Sequence, residues 1–111
     1  LVFHGIKFPN KCDTTFYGPY DDVAVLDGLF LATKASVLTD IGLGKPNYLE
    51  GDWDFYDIHY TYAAKRKGYT NKAVGILLMH NSSGDLVGRD SWHKNRQSFI
   101  KKFHKSFPIT V

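Results

Sequence analysis

Nine consecutive residues, Gly51-Asp52-Trp53-Asp54-Phe55-Tyr56-Asp57-Ile58-His59, carry three carboxylates, one imidazole and three aromatic rings. Drawing an acid among aromatic rings costs free energy, and desolvation raises its pKa. A chain that does this is either capping a helix or building a site. The helix follows directly in Tyr60-Thr61-Tyr62-Ala63-Ala64-Lys65-Arg66-Lys67, and Gly68 stops it. The acids therefore fall at a helix N-terminus, where free N–H groups and the macrodipole favour negative charge. Capping by Asp52 or Asp54 accounts for one of them. It leaves the other acids and the aromatic density unexplained.

The chain has 111 residues, enough for one small domain or a piece of a larger one. A hydrophobic share of 43% and an aromatic share of 15% suit a packed core rather than a disordered segment. The opening Leu1-Val2-Phe3-His4-Gly5-Ile6 lacks a signal peptide's length and basic flank and reads as an interior strand, so the chain is expected to belong to something longer. The net charge of +3 permits anionic partners without demanding them. Cys12 is the only cysteine, which precludes an internal disulfide and fits a reducing, cytoplasmic compartment. No apolar run approaches the ~20 residues that span a bilayer.

Turn formers crowd residues 7–22, which read as an irregular loop. Val23-Ala24-Val25-Leu26 reads as a strand, Asp27-Gly28 as a hairpin turn or close bend, and Leu29-Phe30-Leu31-Ala32 as a second strand. Thr33 or Ser36 is placed to cap a short helix over residues 35–38. Residues 55–67 form a helix with a basic tail that complements its dipole. Residues 72–79 read as one strand buried on both faces. A last helix over residues 90–105 gathers Trp92, Phe99, Ile100, Phe103 and Phe107 on one face.

Four groups of residues carry chemistry, each with a plainer alternative. Asp57, with Asp54 and His59, offers a general base tuned by partial burial; the alternative is a capped helix with solvated acids. His80, at the end of an apolar strand, suits a divalent metal or a phosphate; the alternative is a histidine bonded to its own turn. Asp27-Gly28 could accept a polyhydroxylated substrate closely, or simply turn the chain. The basic face of the last helix (Lys94, Arg96, Lys101, Lys102, His104, Lys105) could meet a membrane surface or nucleic acid. Its aromatic stripe argues instead for a helix docked on its own core, so nucleic acid is not expected as a partner.

Taken in order, the pieces resemble a known pattern. Residues 25–38, with Asp27-Gly28 between apolar runs and a short helix after them, resemble the acceptor-side segment of family 2-like glycosyltransferases of the GT-A fold. Phe55-Tyr56-Asp57-Ile58-His59 resembles that family's acidic helix start, whose first Asp is the catalytic base of inverting members. Residues 73–79 followed by His80-Asn81-Ser82-Ser83-Gly84 resemble its next strand and histidine turn. Gly68-Tyr69 ends the intervening helix as it does in the family, so the likeness spans residues 23–103 and rests on four motifs in the right order. Two departures accompany it. His59 stands where the family carries a second acid, and Asp21-Asp22, in a Pro/Gly-rich stretch, is no convincing Asp-x-Asp motif.

The resemblance implies an α/β fold, a mixed sheet with flanking helices, forming the C-terminal, acceptor-side half of a nucleotide-diphospho-sugar transferase domain. The whole chain, residues 1–111, would be one domain or fragment, with the nucleotide-binding half apparently absent. It implies a nucleotide-sugar donor, a carbohydrate or glycosylated acceptor, and Mn2+ or Mg2+ in the complete domain. Asp57 would be the base. Asp27, Gly28, Trp53, Asp54, Tyr56 and His59 would contact the sugars, and His80 the metal. The competing expectation is a non-catalytic carbohydrate-binding or interaction module on the same scaffold.

Overall fold

The computed structural model describes residues 3–8, 11–16, 20–42, 44–51, 54–75, 77–80 and 90–110, and the backbone alone for 3–8, 11–16, 20–21 and 77–80. In chain order the elements are β1 (Phe3–Phe8), β2 (Lys11–Phe16), β3 (Tyr20–Val23), α1 (Ala35–Ile41), α2 (Tyr56–Arg66), β4 (Asn71–Val74), β5 (Leu77–His80) and α3 (Asp90–Phe103). A 3-10 turn, His104–Ser106, follows α3. The strands form two sheets. One has the order β2-β1-β5, with β1 antiparallel to β2 and parallel to β5. The other pairs β3 with β4 antiparallel. The mixed α/β class expected from the sequence is what is found.

Several elements differ from their sequence reading. The described part of residues 7–22 is strand rather than irregular loop; residues 9–10 and 17–19 lie outside the described residues. β1 and β2 pair antiparallel from Phe3↔Phe16 to Phe8↔Lys11. The single strand expected over 72–79 is two strands in different sheets: β4 pairs with β3, and β5 with β1. Lys72 and Val74 on β4 are exposed, which contradicts burial on both faces. Gly75 lies just past β4, where a residue without a side chain adds nothing to a ladder.

The strand expected over 23–26 ends at Val23. Beyond it the chain continues extended, but its backbone groups bond to side chains instead of another strand. Asn71 Nδ2 donates to the Ala24 carbonyl (3.1 Å), the Leu26 N–H donates to Thr61 Oγ1 (3.1 Å), and the Gly28 N–H donates to Asp57 Oδ2 (2.8 Å). Alternate residues 24, 26 and 28 thus present one edge, at the period of an extended chain. Asp57 and Thr61 are one helical turn apart on one face of α2. A helix face satisfies polar groups that a strand would otherwise take. The second strand expected over 29–32 is absent too: the Leu29 N–H donates to Asp27 Oδ1 (3.1 Å), closing a local turn, and Phe30 and Leu31 are exposed.

The helices follow the sequence more closely. α1 begins at Ala35 as expected, though Lys34 occupies the cap position and no side chain caps it. α2 ends in a Schellman arrangement, with Gly68 at φ 88°, its N–H on the Lys65 carbonyl (2.9 Å) and the Tyr69 N–H on the Ala64 carbonyl (3.1 Å). Tyr62, Phe99 and Phe103 form the core, with Val25, Tyr48, Phe55, Ile58 and Ile109 packed around them. Ring centroids lie 5.0 Å apart for Tyr62–Phe103 and 4.9 Å for Phe99–Phe103, in edge-on and tilted geometries that aromatic quadrupoles favour. Ile100 and Phe107 lie at the edge of this core, the Phe107 ring centroid 6.5 Å from that of Phe99. They stay 40% and 43% exposed, because α3 stops at Phe103 and Ile100 lies about 100° around the helix from Phe99.

Candidate functional site

Asp57 sits in the first turn of α2, and α2 packs against the 24–28 segment. Its two carboxylate oxygens are divided. Oδ2 accepts the Gly28 N–H at 2.8 Å and Oδ1 accepts the Ile58 N–H at 2.8 Å. The group is half-buried. Burial pushes its pKa above the ordinary carboxylate value; the two N–H donors oppose that rise and the nearby Asp27 charge adds to it. Each oxygen keeps a lone-pair direction beyond the bond described.

Tyr56 completes the cluster. Its hydroxyl donates to the Gly28 carbonyl at 3.3 Å. Burial, then the Asp57 and Asp27 charges, raise its pKa. Gly28 is glycine for a steric reason: a Cβ there would fall on the Tyr56 hydroxyl and within 3.0 Å of Asp57 Oδ2. Asp27, Gly28, Tyr56 and Asp57 therefore converge, four of the residues singled out from the sequence. Their position at one corner of α2 comes from the ladder of bonds along residues 24–28.

The other candidates lie elsewhere. Asp54 accepts the Ser91 hydroxyl, tying the start of α2 to α3. The helix cap falls on Phe55, whose side chain makes no cap bond and whose φ of 69° is left-handed. Capping by Asp54 is therefore corrected: the acid in the first turn is Asp57. His59 is two residues after Asp57, about 200° around the helix, and points away from it. Its Nδ1 pairs with the Tyr48 hydroxyl at 2.6 Å. Trp53, Asp52 and the turn at 81–85 fall outside the described residues. His80 ends β5 opposite Ile6, and its side chain also falls outside them.

Tyr48, Thr61, Asn71 and Asn95 were not singled out from the sequence. Thr61 was within reach of the argument, since it stands four residues after Asp57 and its hydroxyl also donates to the Asp57 carbonyl (2.8 Å). Asn71 bonds across 47 residues to Ala24, and Asn95 across 45 to Glu50, so neither leaves a local signal.

Among the described residues no three His, Cys, Asp or Glu side chains converge to hold a metal ion. The chemistry available at this corner is proton transfer and hydrogen bonding to hydroxyl groups. Among the described residues no helix is long and apolar enough to cross a membrane. No protein-family model, curated protein or solved structure matches this chain.

Proposed function

We propose that this chain supplies the acceptor side of a nucleotide-sugar-dependent glycosyltransferase of the GT-A fold, inverting, with Asp57 as general base. The observation that carries the reading is the Asp57 carboxylate, half-buried beside Asp27, Gly28 and Tyr56, with its pKa raised by burial. A raised pKa makes a carboxylate a better proton acceptor while it stays ionised near neutral pH. Asp57 takes the proton of an acceptor hydroxyl as that oxygen bonds to the anomeric carbon. The bond from that carbon to the nucleotide diphosphate breaks with inversion, and its electron pair leaves with the diphosphate. Asp27 accepts hydrogen bonds from sugar hydroxyls, and Tyr56 presents a ring face. Mn2+ or Mg2+, which the resemblance implies, would neutralise the leaving diphosphate when bound. Among the described residues no group of side chains converges to hold it, and the side chain of His80, which the resemblance assigns to the metal, lies outside them.

One observation supports a second reading, a carbohydrate-binding module without catalysis. Both Asp57 oxygens already accept backbone N–H groups, as a purely structural carboxylate would. Sugar transfer from a panel of uridine and guanosine diphosphate sugars, measured on the intact protein with and without Asp57→Asn, separates the two. The base role requires a loss of about 10²–10⁴-fold in transfer with donor binding unchanged by calorimetry. Turnover at the wild-type rate in the variant would assign Asp57 to structure.

A further inference from the structure

Basic side chains from two helices meet where α2 and α3 end. The Arg66 guanidinium, on the last residue of α2, lies 5.4 Å from the centroid of the Phe103 ring. The Lys102 ammonium, in the last turn of α3, lies 5.8 Å from the same centroid and 4.3 Å from that of Tyr48. Two cations from different helices therefore share one ring. Lys101 and Lys105 stand on either side of Lys102 in the chain, and all four cations are exposed. Neither residues 58–84 nor residues 91–111 contain an acid. Asp40 and Glu50, from other parts of the chain, pair with Lys67 and Lys94.

Each of these charges has a plainer account, since a cation in a last helical turn complements the macrodipole. That account works helix by helix. The packing of Tyr62 on Phe103 joins the two helix ends and adds the charges of one to those of the other. Like charges brought together this way repel, and an extended anionic surface relieves all of them at once. A cluster of about four to eight Lys and Arg on a helical surface is what an anionic bilayer attracts, each cation adding to the binding. The rings among the cations favour a bilayer over a polynucleotide. Bases stack on open aromatic faces, whereas Phe103 is buried and Lys102 lies over Tyr48. Ile100 and Phe107, close along the chain, stand 40% and 43% exposed, and the headgroup boundary takes apolar side chains between lysines.

We infer that this surface docks the protein on an anionic phospholipid bilayer, with Arg66, Lys101, Lys102 and Lys105 among the headgroups. Asp57, in the first turn of α2, stands about 13 Å from Arg66 along the helix axis, which leaves the Asp27–Asp57 corner clear of the bilayer. The docking does not depend on the proposed transfer chemistry. Sedimentation of the whole chain with vesicles of phosphatidylcholine and phosphatidylserine, and with vesicles of phosphatidylcholine alone, is the test. Binding to the anionic vesicles is expected, weakening as salt rises, with little binding to the neutral ones. Lys101→Glu combined with Lys105→Glu weakens it at least about tenfold, while circular dichroism stays unchanged. Lys34→Glu combined with Lys45→Glu makes the same change of net charge at exposed positions outside the patch, and weakens it much less. No binding to the anionic vesicles, equal binding to both kinds, or equal loss in the two double variants would overturn the assignment. So would release from the anionic vesicles by oligothymidylate at an equal concentration of phosphate, which would give the surface to nucleic acid.

Discussion

Asn95 clasps the backbone of Glu50 as a neighbouring strand would: its Oδ1 accepts the Glu50 N–H at 2.7 Å and its Nδ2 donates to the Glu50 carbonyl at 2.8 Å. The same Nδ2 also donates to the Asp54 carbonyl at 3.0 Å. Asn95 is 0% exposed, so a single side chain from α3 fixes the approach to α2 and, through it, the position of Asp57. Removing it leaves three backbone groups without their partner. Asn95→Ala is expected to cost about 1–3 kcal/mol, a large part of a total of about 5–15 kcal/mol. Asn95→Asp should be worse at neutral pH, because it turns a donor that faces two carbonyls into an acceptor. It should recover in part in acid, where the carboxyl carries a proton. Urea unfolding at two pH values measures both, and equal stability of the Asp and Asn forms would sink the argument.

Gly28 and Tyr56 give a steric prediction. A Cβ at residue 28 would lie on the Tyr56 hydroxyl and within 3.0 Å of Tyr56 Cζ. Gly28→Ala is therefore expected to destabilise by about 1–3 kcal/mol through overpacking. Deleting the hydroxyl in Tyr56→Phe removes the worst of the clash, at the expense of its bond to the Gly28 carbonyl. The double variant should be more stable than the sum of the singles predicts, with a coupling of about 0.5–3 kcal/mol. Additive effects would show that residues 27–28 move aside freely and that the corner is not rigid.

The helices were legible in the sequence because their signals are local. Gly68 ends α2 in the arrangement a glycine permits, and the basic tail at Lys65 and Arg66 sits in its last turn. The convergence of Asp27, Gly28, Tyr56 and Asp57 was legible as an ordered set of motifs. The strands around it were misread because an extended segment looks the same whether a strand or a helix face takes its hydrogen bonds. Ala24, Leu26 and Gly28 bond to Asn71, Thr61 and Asp57, and only the tertiary structure supplies those partners. The grouping of His59 with Asp57 overlooked helical geometry, in which residues two apart face different ways. Asn95 was invisible for another reason: its partners are backbone groups, which every residue has.

Asp57 predicts a pH dependence of definite sign. Its folded pKa is raised above the ordinary value of about 3.9, chiefly by burial. Between the unfolded and the raised folded pKa the native state holds more protons than the unfolded one. Stability therefore falls as pH rises through that window and stays lower above it. Asp57→Asn removes this contribution. The difference in unfolding free energy between variant and wild type should move in the variant's favour as pH rises from about 4 through the window. Asp40 works in the opposite sense, since its bonds with Lys67 and Tyr69 hold its pKa below the usual range, so only the difference between the two proteins isolates Asp57. A difference that does not vary with pH would mean that its carboxylate is as well solvated when folded as when unfolded.

The Tyr48–His59 pair makes the complementary prediction on the far side of α2. The 2.6 Å contact joins the Tyr48 hydroxyl to Nδ1; we assign the hydroxyl as donor, which requires a neutral imidazole unprotonated at Nδ1. Burial pushes the Tyr48 hydroxyl up to about 12, so it keeps its proton. Burial, and then the Lys102 ammonium, hold His59 below its ordinary value of about 6.5. That ammonium also lies 4.3 Å from the centroid of the Tyr48 ring. Protonating His59 would turn its acceptor into a donor and place a second positive charge beside Lys102. The folded state binds this proton more weakly than the unfolded one. The stability present above about pH 6.5 is therefore lost as pH falls through the lowered folded pKa. His59→Gln, which cannot take the charge, should lack that loss. Lys102→Met should shift it to higher pH than in wild type, since the nearby like charge then disappears. Tyr48→Phe should cost about 1 kcal/mol at pH 8 and less once His59 is protonated. Urea titrations of the three variants across pH 5–8 decide the matter, and a His59→Gln profile parallel to wild type would show that the imidazole does not report on this contact.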